Sequence, residues 1–401
     1  MKKSVKDLGD VKGKRALVRV DINVPLDENK NVTDDTRIRA IVPTVNFLKE
    51  KGAKIILMAH LGRPKGEAKP EFSLKYVVKK LSEVLGEEVL FVSAPVGEGA
   101  DKELENLKDG QVALLENIRY YKAEEAKDDD MTFAEELAKL GDFYVNDAFG
   151  AAHRNHTSTA KVAKILKPAV SGLLMEKELA ALGGLLENPA RPFTAVVGGA
   201  KVSSKIAVLE NLIDKVDNII IGGGMAFTFF KQQGLNVGKS LCELDQLDVA
   251  KEVMAKAEAK GVKIYLPIDV LIADDFSESA NTKNVDANAI PDGWIGVDSG
   301  KKTIDECNEV VLASKTILMN GPVGAFEIEK FTEGTKEILK AIEKATAQGA
   351  MSVIGGGDSV AATKKYSMPT SSFSHVSTGG GASLEFIEGK VLPGVAALDE
   401  Q

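Results

Sequence analysis

Short apolar runs rich in β-branched residues alternate with segments of helical period along the whole chain. In the first half the pattern predicts strands at Ala16–Val24, Lys54–Ala59, Val89–Val92, Val112–Glu116 and Phe143–Asn146. Apolar positions recurring every three or four residues predict helices between them at Thr36–Lys51, Ser73–Leu85 and Met131–Leu140. The pattern then restarts. Strands are predicted at Phe193–Val197, Asn218–Ile221, Val262–Leu266, Thr316–Met319, Met351–Ile354 and Ser372–His375, with helices at Lys205–Val216, Met225–Gln233, Leu247–Lys260 and Phe331–Thr346. Strands separated by helices belong to parallel sheets, because a parallel connection needs a crossover long enough to hold a helix.

The join between the halves is visible. Ser171–Asn188 reads as one amphipathic helix, stopped by Pro189 and then Pro192, since proline cannot continue a helix. The expected fold class is therefore α/β: two doubly wound parallel-sheet domains of similar size joined by a hinge helix. The division is 1–172, an interdomain helix 173–188, and a second domain 189–388.

Glycine adds chemistry to the second half. The runs at 198–199, 222–224, 355–357 and 379–381 each follow a predicted strand and precede a helix. Such loops aim backbone N–H groups at anions, at the strand ends where open α/β sheets bind ligands. A single glycine pair is most simply a tight turn, but four in one domain suggest a nucleotide or polyphosphate site. The loops match no P-loop, because GLNVGKS (234–240) and GVDSGK (296–301) have three residues between the glycines, not four. GGGMAF (222–227) lacks the last glycine of a dinucleotide fingerprint.

Charge is uneven. The net charge of −8 argues against nucleic acid as a partner. Yet all eight arginines (Arg15, Arg19, Arg37, Arg39, Arg63, Arg119, Arg154, Arg191) precede residue 192, and the rest of the chain uses lysine alone. Arginine offers a planar fork for carboxylate and phosphate, so the first half is expected to hold a small anion. Taken singly, an arginine is more often a solvated surface charge. However, Arg37, Arg63, Arg119, Arg154 and His60 all fall just after predicted strands or at the start of a helix, which would place them on one cleft edge. His60 and His153 could each be a satisfied histidine or an acid–base group. In the second half, Lys201 and Lys205 stand four apart after a strand, which places them on one helix face where they would clamp phosphates. Glu327 could accept hydrogen bonds from ribose hydroxyls. Asp358, in GGGDS (355–359), could ligate Mg²⁺ or cap the helix it begins.

Two cysteines, Cys242 and Cys307, exclude a disulfide framework and a paired-cysteine zinc site. Residues 1–10 are charged, and no run of about 18 apolar residues occurs, so neither a signal segment nor a membrane span is expected. A cytoplasmic location follows as the expectation.

The chain resembles the phosphoglycerate kinase family over essentially its whole length. The resemblance is carried by RVDINVP (19–25), HLGRP (60–64), LLENIRYY (114–121), NDAFGAAHR (146–154), VVGGAKVSSKI (196–206), IIGGGMAFTF (220–229), NGPVGAFE (320–327), IGGGDS (354–359) and HVSTGGGASLEF (375–386), in order. It implies reversible transfer of the acyl phosphoryl group of 1,3-bisphosphoglycerate to MgADP, giving 3-phosphoglycerate and ATP, in glycolysis and gluconeogenesis. It implies that Asp21, Asn23, Arg37, His60, Arg63, Arg119 and Arg154 hold the phosphoglycerate. Lys201, Lys205, Gly223, Gly296, Asn320, Glu327, Gly356, Gly357, Asp358 and Ser359 would hold the nucleotide, with Asp358 on Mg²⁺. It further implies a monomer, and a final segment, 389–401, that returns to the first domain. The sequence departs from the family at Leu318-Met319, where many members carry tryptophan, and at 297–301, beside Gly296.

On that reading Arg37 and Lys205 flank the transferring phosphoryl group, and N–H groups of Gly379 and Gly380 add to them. No nucleophilic side chain and no general base are needed, which suits a chain with four histidines. Closure about the interdomain helix would bring the substrates together. A two-domain binding protein or a dehydrogenase would share the α/β pattern. The first gives no reason for a carboxylate at a phosphate loop, and the second needs the missing glycine fingerprint.

Overall fold

Strand β1 (Arg15–Val20) is buried at every position after its first. It lies inside a parallel sheet of six strands with β2 (Lys54–Met58), β3 (Leu90–Val92), β4 (Val112–Leu115), β5 (Phe143–Asp147) and β6 (Ala169–Ser171), in the order β3-β4-β2-β1-β5-β6. Successive side chains enter opposite cores. Ala16, Val18 and Val20 pack with Ile55 and Leu57 on one face; Leu17 packs with Ile56, Met58 and Tyr144 on the other. A sheet covered on both faces needs apolar residues at both parities, which is why these strands read as continuous runs. The helix Thr36–Glu50 covers the first face through Ile38, Ile41, Val45 and Leu48.

The computed structural model describes residues 2–401 and divides the chain into two units. One comprises the residues up to Ala180 together with Val391–Gln401; the other is Ala181–Lys390. The returning C-terminal segment is stitched to the first unit by backbone. Lys3 N–H donates to Asp399 O at 2.8 Å, Asp399 N–H to Ala169 O at 2.8 Å, and Gly394 N–H to Ala152 O at 2.8 Å. Leu398 enters the core beside Leu17.

The second unit repeats the plan. Strands β7 (Phe193–Val197), β8 (Asn218–Ile221) and β9 (Lys263–Tyr265) lie in one parallel sheet with β13 (Thr316–Asn320), β14 (Met351–Gly355) and β15 (His375–Val376), in the order β15-β14-β13-β7-β8-β9. Between them β10 (Asp269–Ala273), β11 (Thr282–Asp286) and β12 (Ile295–Ser299) form a small antiparallel sheet in the order β11-β10-β12. The sequence pattern did not predict this sheet, because its edge strand TKNVD is exposed at nearly every position and has no apolar face to read.

The helix at the join runs Leu173–Glu187, shorter at its start than Ser171–Asn188, because Ser171 is claimed by β6. Asp147 Oδ1 receives the N–H groups of Leu174 and Met175 at 3.0 and 3.2 Å and so caps this helix from the end of β5. Three further expectations change. The first strand stops at Val20 instead of Val24, and the last is His375–Val376 instead of Ser372–His375, since residues 370–372 form a short turn of helix. The helix expected at Lys205–Val216 covers only Ile206–Ile213.

Leu17 is fully buried in a two-sided sheet that cannot collapse around a void. Leu17→Ala is expected to cost about 2–5 kcal/mol. Urea denaturation followed by circular dichroism would show an earlier loss of the first unit's structure.

Candidate active site

In open α/β sheets a crevice forms beyond the strand carboxyl ends where the winding reverses. In the first unit that point lies between β1 and β5; Asp21 and Asn23 follow β1 and Arg154 follows β5, while His60 and Arg63 follow β2, Arg119 follows β4 and Arg37 lies in the first turn of the helix Thr36–Glu50. Arg37 Nη1 donates to both carboxylate oxygens of Asp21 at 2.8 Å. Asn23 Oδ1 accepts from Gly62 N–H at 2.9 Å, and Gly62 O accepts from Arg119 Nη1 at 3.2 Å. Thus Asp21, Asn23, Arg37 and Arg119 are tied to β1 and to the loop after β2. Arg63, next in that loop, and Arg154 are exposed.

Electrostatics show which cations gather. The His60 imidazole is held well below its ordinary pKa by burial and then by Arg19, Arg119 and Arg37. The Arg119 guanidinium is lowered by burial; Glu125 and Glu124 act in the opposite sense, and Arg19 and Arg154 lower it further. His156 is pulled down to about 3 by burial and by Arg119, Arg19 and Arg154. Arg37, Arg119, Arg154 and His60 therefore share one neighbourhood, in which Asp21, Glu124 and Glu125 supply the opposing charge. The arginine count overstated it: Arg39 is paired with Asp35, Arg191 with Asp217, and Arg15 donates to Leu104 O. Sequence reasoning placed Arg19 only among the eight arginines and passed over Glu124, Ser158 and His156. Arg19 had a signal, a charge inside the otherwise apolar strand RALVRV, which must be partnered if buried.

The second unit reverses between β7 and β13. There the backbones meet: Gly198 N–H donates to Asn320 O at 3.1 Å, and Gly223 N–H to Val323 O at 2.8 Å. A cavity of about 450 Å³ opens beside them, walled by glycine loops and apolar side chains, with Gly223, Gly296, Glu327 and Asp358 in its lining. Gly296 keeps it open. A Cβ there would lie 1.9 Å from the Phe227 ring. Gly223 has φ 73°, and a Cβ on it would sit 2.6 Å from Gly199 O. Flat apolar walls with few polar groups suit a nucleotide base and ribose.

Asn320 is buried. Its Oδ1 accepts from Lys205 Nζ, and its Nδ2 has no partner among the described residues. That amide faces Gly356, the left-handed residue that precedes the helix Gly357–Lys365. The first-turn N–H groups of that helix and the orphaned amide could receive phosphate oxygens. Lys205 is lowered by burial, with Asp358 and Glu388 acting in the opposite sense.

Several details correct the sequence reading. Lys201 and Lys205 do not share a helix face: they flank a single 3₁₀ turn, Val202–Ser204, both outside helical geometry, and Lys201 is exposed. Asp358 is not a cap. Gly356 holds that position, and Asp358 is exposed in the first turn. Ser359 is buried, and its Oγ receives Gly321 N–H at 2.7 Å, so it braces the loop after β13. Gly379 N–H is spent on Ser377 Oγ at 3.2 Å, and the helix opens at Gly381.

Among the described residues no trio of His, Cys, Asp or Glu forms a metal cage. One exposed carboxylate, Asp358, at the edge of a phosphate loop fits an ion that takes most of its oxygens from phosphate and water, as Mg²⁺ does. Asp298, a cavity residue not singled out from the sequence, is the opposite case. It is buried, its Oδ2 accepts from Gly334 N–H at 2.7 Å, and burial pushes its carboxyl up to about 8.

One unit that gathers arginines at its strand ends, and another that holds a glycine-walled cavity, define a phosphotransferase class. The comparisons name the family. The family model for phosphoglycerate kinase matches residues 5–390. The chain is 55% identical to the cytosolic phosphoglycerate kinase of Triticum aestivum, over all of this chain and 99% of that one. It is 54% identical to chloroplastic phosphoglycerate kinase 2 of Arabidopsis thaliana, over all of this chain and 83% of that one. The solved phosphoglycerate kinase of Coxiella burnetii superposes with a TM-score of 0.91 at 41% identity, covering 99% of this chain and 98% of that chain. The chain belongs to the phosphoglycerate kinase family. It is a kinase that transfers phosphate between 1,3-bisphosphoglycerate and ADP, the reaction of glycolysis and gluconeogenesis. No helix of the described residues is long and apolar enough to cross a membrane.

Gly296→Ala is expected to weaken MgADP binding by about tenfold, because the Phe227 ring must yield into the cavity. Titration calorimetry would show 3-phosphoglycerate binding unchanged. Asp298 gives a pH signature. Its folded carboxyl binds a proton more tightly than the unfolded one, so its contribution is complete below about pH 4 and is lost as pH rises toward about 8. Asp298→Asn should flatten the fall in thermal stability between those limits, read by melting at a series of pH values.

Proposed function

We propose that the first unit holds the phosphoglycerate through Asp21, Asn23, Arg37, His60, Arg63, Arg119 and Arg154, and that the second holds MgADP or MgATP. The nucleotide residues are Lys201, Lys205, Gly223, Gly296, Asn320, Glu327, Gly356, Gly357 and Asp358, with Ser359 bracing them from behind. The observation that carries this reading is the division of chemistry. Guanidinium groups gather at the reversal point of one sheet, and a glycine-walled cavity opens at that of the other.

In the ATP-forming direction a β-phosphate oxygen of ADP attacks the acyl phosphorus in line, and the carboxylate of 3-phosphoglycerate leaves. The nucleophile is already anionic, and so is the carboxylate that attacks in reverse. No base is required, and positioning and charge stabilisation carry the step. Arg37 turns from Asp21 toward the transferring phosphoryl oxygens. Lys205 meets them from the nucleotide side, and the N–H groups of Gly380 and Gly381 replace that of Gly379, which Ser377 occupies. Mg²⁺ supplies positive charge to the nucleotide phosphates when bound, with Asp358 as its protein ligand. Both reacting atoms must come within bonding distance, so the catalytic cycle brings the two bound substrates together and excludes water that would hydrolyse the acyl phosphate. The protein acts as a monomer in the cytoplasm.

The test is an assay with 3-phosphoglycerate and MgATP, coupled through glyceraldehyde-3-phosphate dehydrogenase to NADH oxidation. Turnover is expected, with loss on chelation of magnesium. Arg37→Ala should lower kcat by roughly 100-fold or more while leaving the MgADP dissociation constant within about twofold. An equal loss in nucleotide affinity with kcat intact would remove Arg37 from the transfer step.

A further inference from the structure

Beneath the cationic neighbourhood of the first unit lies a chain of hydrogen bonds whose direction at His60 is dictated by chemistry. Arg19 is fully buried in β1. Its Nε–H donates to Ser158 Oγ at 2.8 Å, its Nη1–H to Val20 O, and its Nη2 lies 3.1 Å from His60 Nδ1. A guanidinium has donors and no acceptor, so His60 Nδ1 must offer its lone pair. The ring proton of neutral His60 then sits on Nε2. At the other end Glu124 is fully buried; burial raises its carboxyl, Arg19 and the Ser158 bonds act in the opposite sense, and as a carboxylate it can only accept. Its Oε1 receives Ser158 Oγ–H at 2.6 Å, and its Oε2 receives Ser158 N–H at 2.9 Å. Ser158 therefore gives its proton to Glu124 and its lone pair to Arg19.

We propose that Glu124 and Ser158 are positioning residues for phosphoglycerate binding: through Arg19 they lock His60 as the Nε2–H tautomer, a neutral hydrogen-bond donor to the anion. The proposal rests on the reading that His60 contacts that substrate. A neutral imidazole can take either tautomer, and the wrong one would present a lone pair to a carboxylate or phosphate. Arg19 removes that choice. The charged and titratable groups around the ring are Arg19, Arg37, Arg119 and His156, with Glu124 behind Ser158. The cations among them oppose protonation at Nδ1, so the donor state persists on acidification. Glu124 balances Arg19 without meeting His60, and the hydroxyl between them sets the guanidinium's orientation. Without that hydroxyl, Arg19 and Glu124 would be left to pair directly, drawing Nη2 away from the ring.

The test uses ¹⁵N NMR of histidine in the full-length protein, with His60 assigned by its loss in His60→Ala. In the wild type between pH 5 and 7, His60 should show a bare Nδ1 and a protonated Nε2. In Ser158→Ala the Nδ1–H tautomer or the imidazolium should appear. Calorimetry should show 3-phosphoglycerate binding weakened by about tenfold, the scale of a lost hydrogen bond to a charged group, with MgADP binding unchanged. A wild-type His60 carrying its proton on Nδ1, or doubly protonated at pH 7, overturns the proposal. So does a Ser158→Ala protein with the wild-type tautomer and affinity. Should Ser158→Ala fail to fold, the wild-type spectrum decides alone. If His60→Ala binds 3-phosphoglycerate as the wild type does, the substrate reading itself is overturned; if His60→Ala binds weakly and Ser158→Ala normally, only the relay is.

Discussion

The central strands of each six-stranded parallel sheet are buried on both faces, and almost everything chemical about this protein follows from that constraint. A strand covered above and below by helices can spend its side chains only on packing. Functional groups are pushed to where the strands run out, and among those ends the reversal of winding leaves room for a ligand. Asp21 and Asn23 follow β1; Asn320 closes β13; Gly223 follows β8 and Gly356 follows β14. The two units obey the same geometric rule with different side chains.

They also meet negative charge in different ways. The first unit concentrates guanidinium groups, and the repulsion among them is visible in the depressed imidazoles of His60 and His156. Carboxylates offset the repulsion: Asp21 pairs with Arg37, exposed Glu125 lies beside Arg119, and buried Glu124 accepts from the serine that Arg19 also meets. The second unit relies on backbone. Glycines let chains approach until carbonyl and amide groups of different loops bond directly, as Gly198 does with Asn320, and helix first turns supply N–H donors that do not titrate. The lysine of that unit that burial reaches, Lys205, is held by Asn320 Oδ1.

Both strategies suit a reaction in which protein contributes no covalent chemistry. Phosphoryl transfer between an acyl phosphate and a nucleotide calls for orientation, charge and the exclusion of water. A histidine kept neutral by its surroundings suits such a reaction as a donor of fixed direction, the role proposed for His60.

The sequence by itself determined the strand and helix alternation, the end of the joining helix ahead of Pro189, the glycine loops and the strand-end arginines, because burial on two faces and tight strand–helix turns each demand recognisable residue types. Its resemblance to one family assigned substrates to those positions. Tertiary structure alone decided which of eight arginines gather, and that Lys201 and Lys205 straddle a 3₁₀ turn instead of sharing a helix face. It also revealed the antiparallel sheet with its exposed edge, the Asn320 amide left open beside Gly356, and the path from Glu124 to His60. These depend on contacts between residues far apart in the chain. Ser158 lies 139 positions from Arg19 and 34 from Glu124, and no local pattern of polarity records which distant donor a buried acceptor will meet.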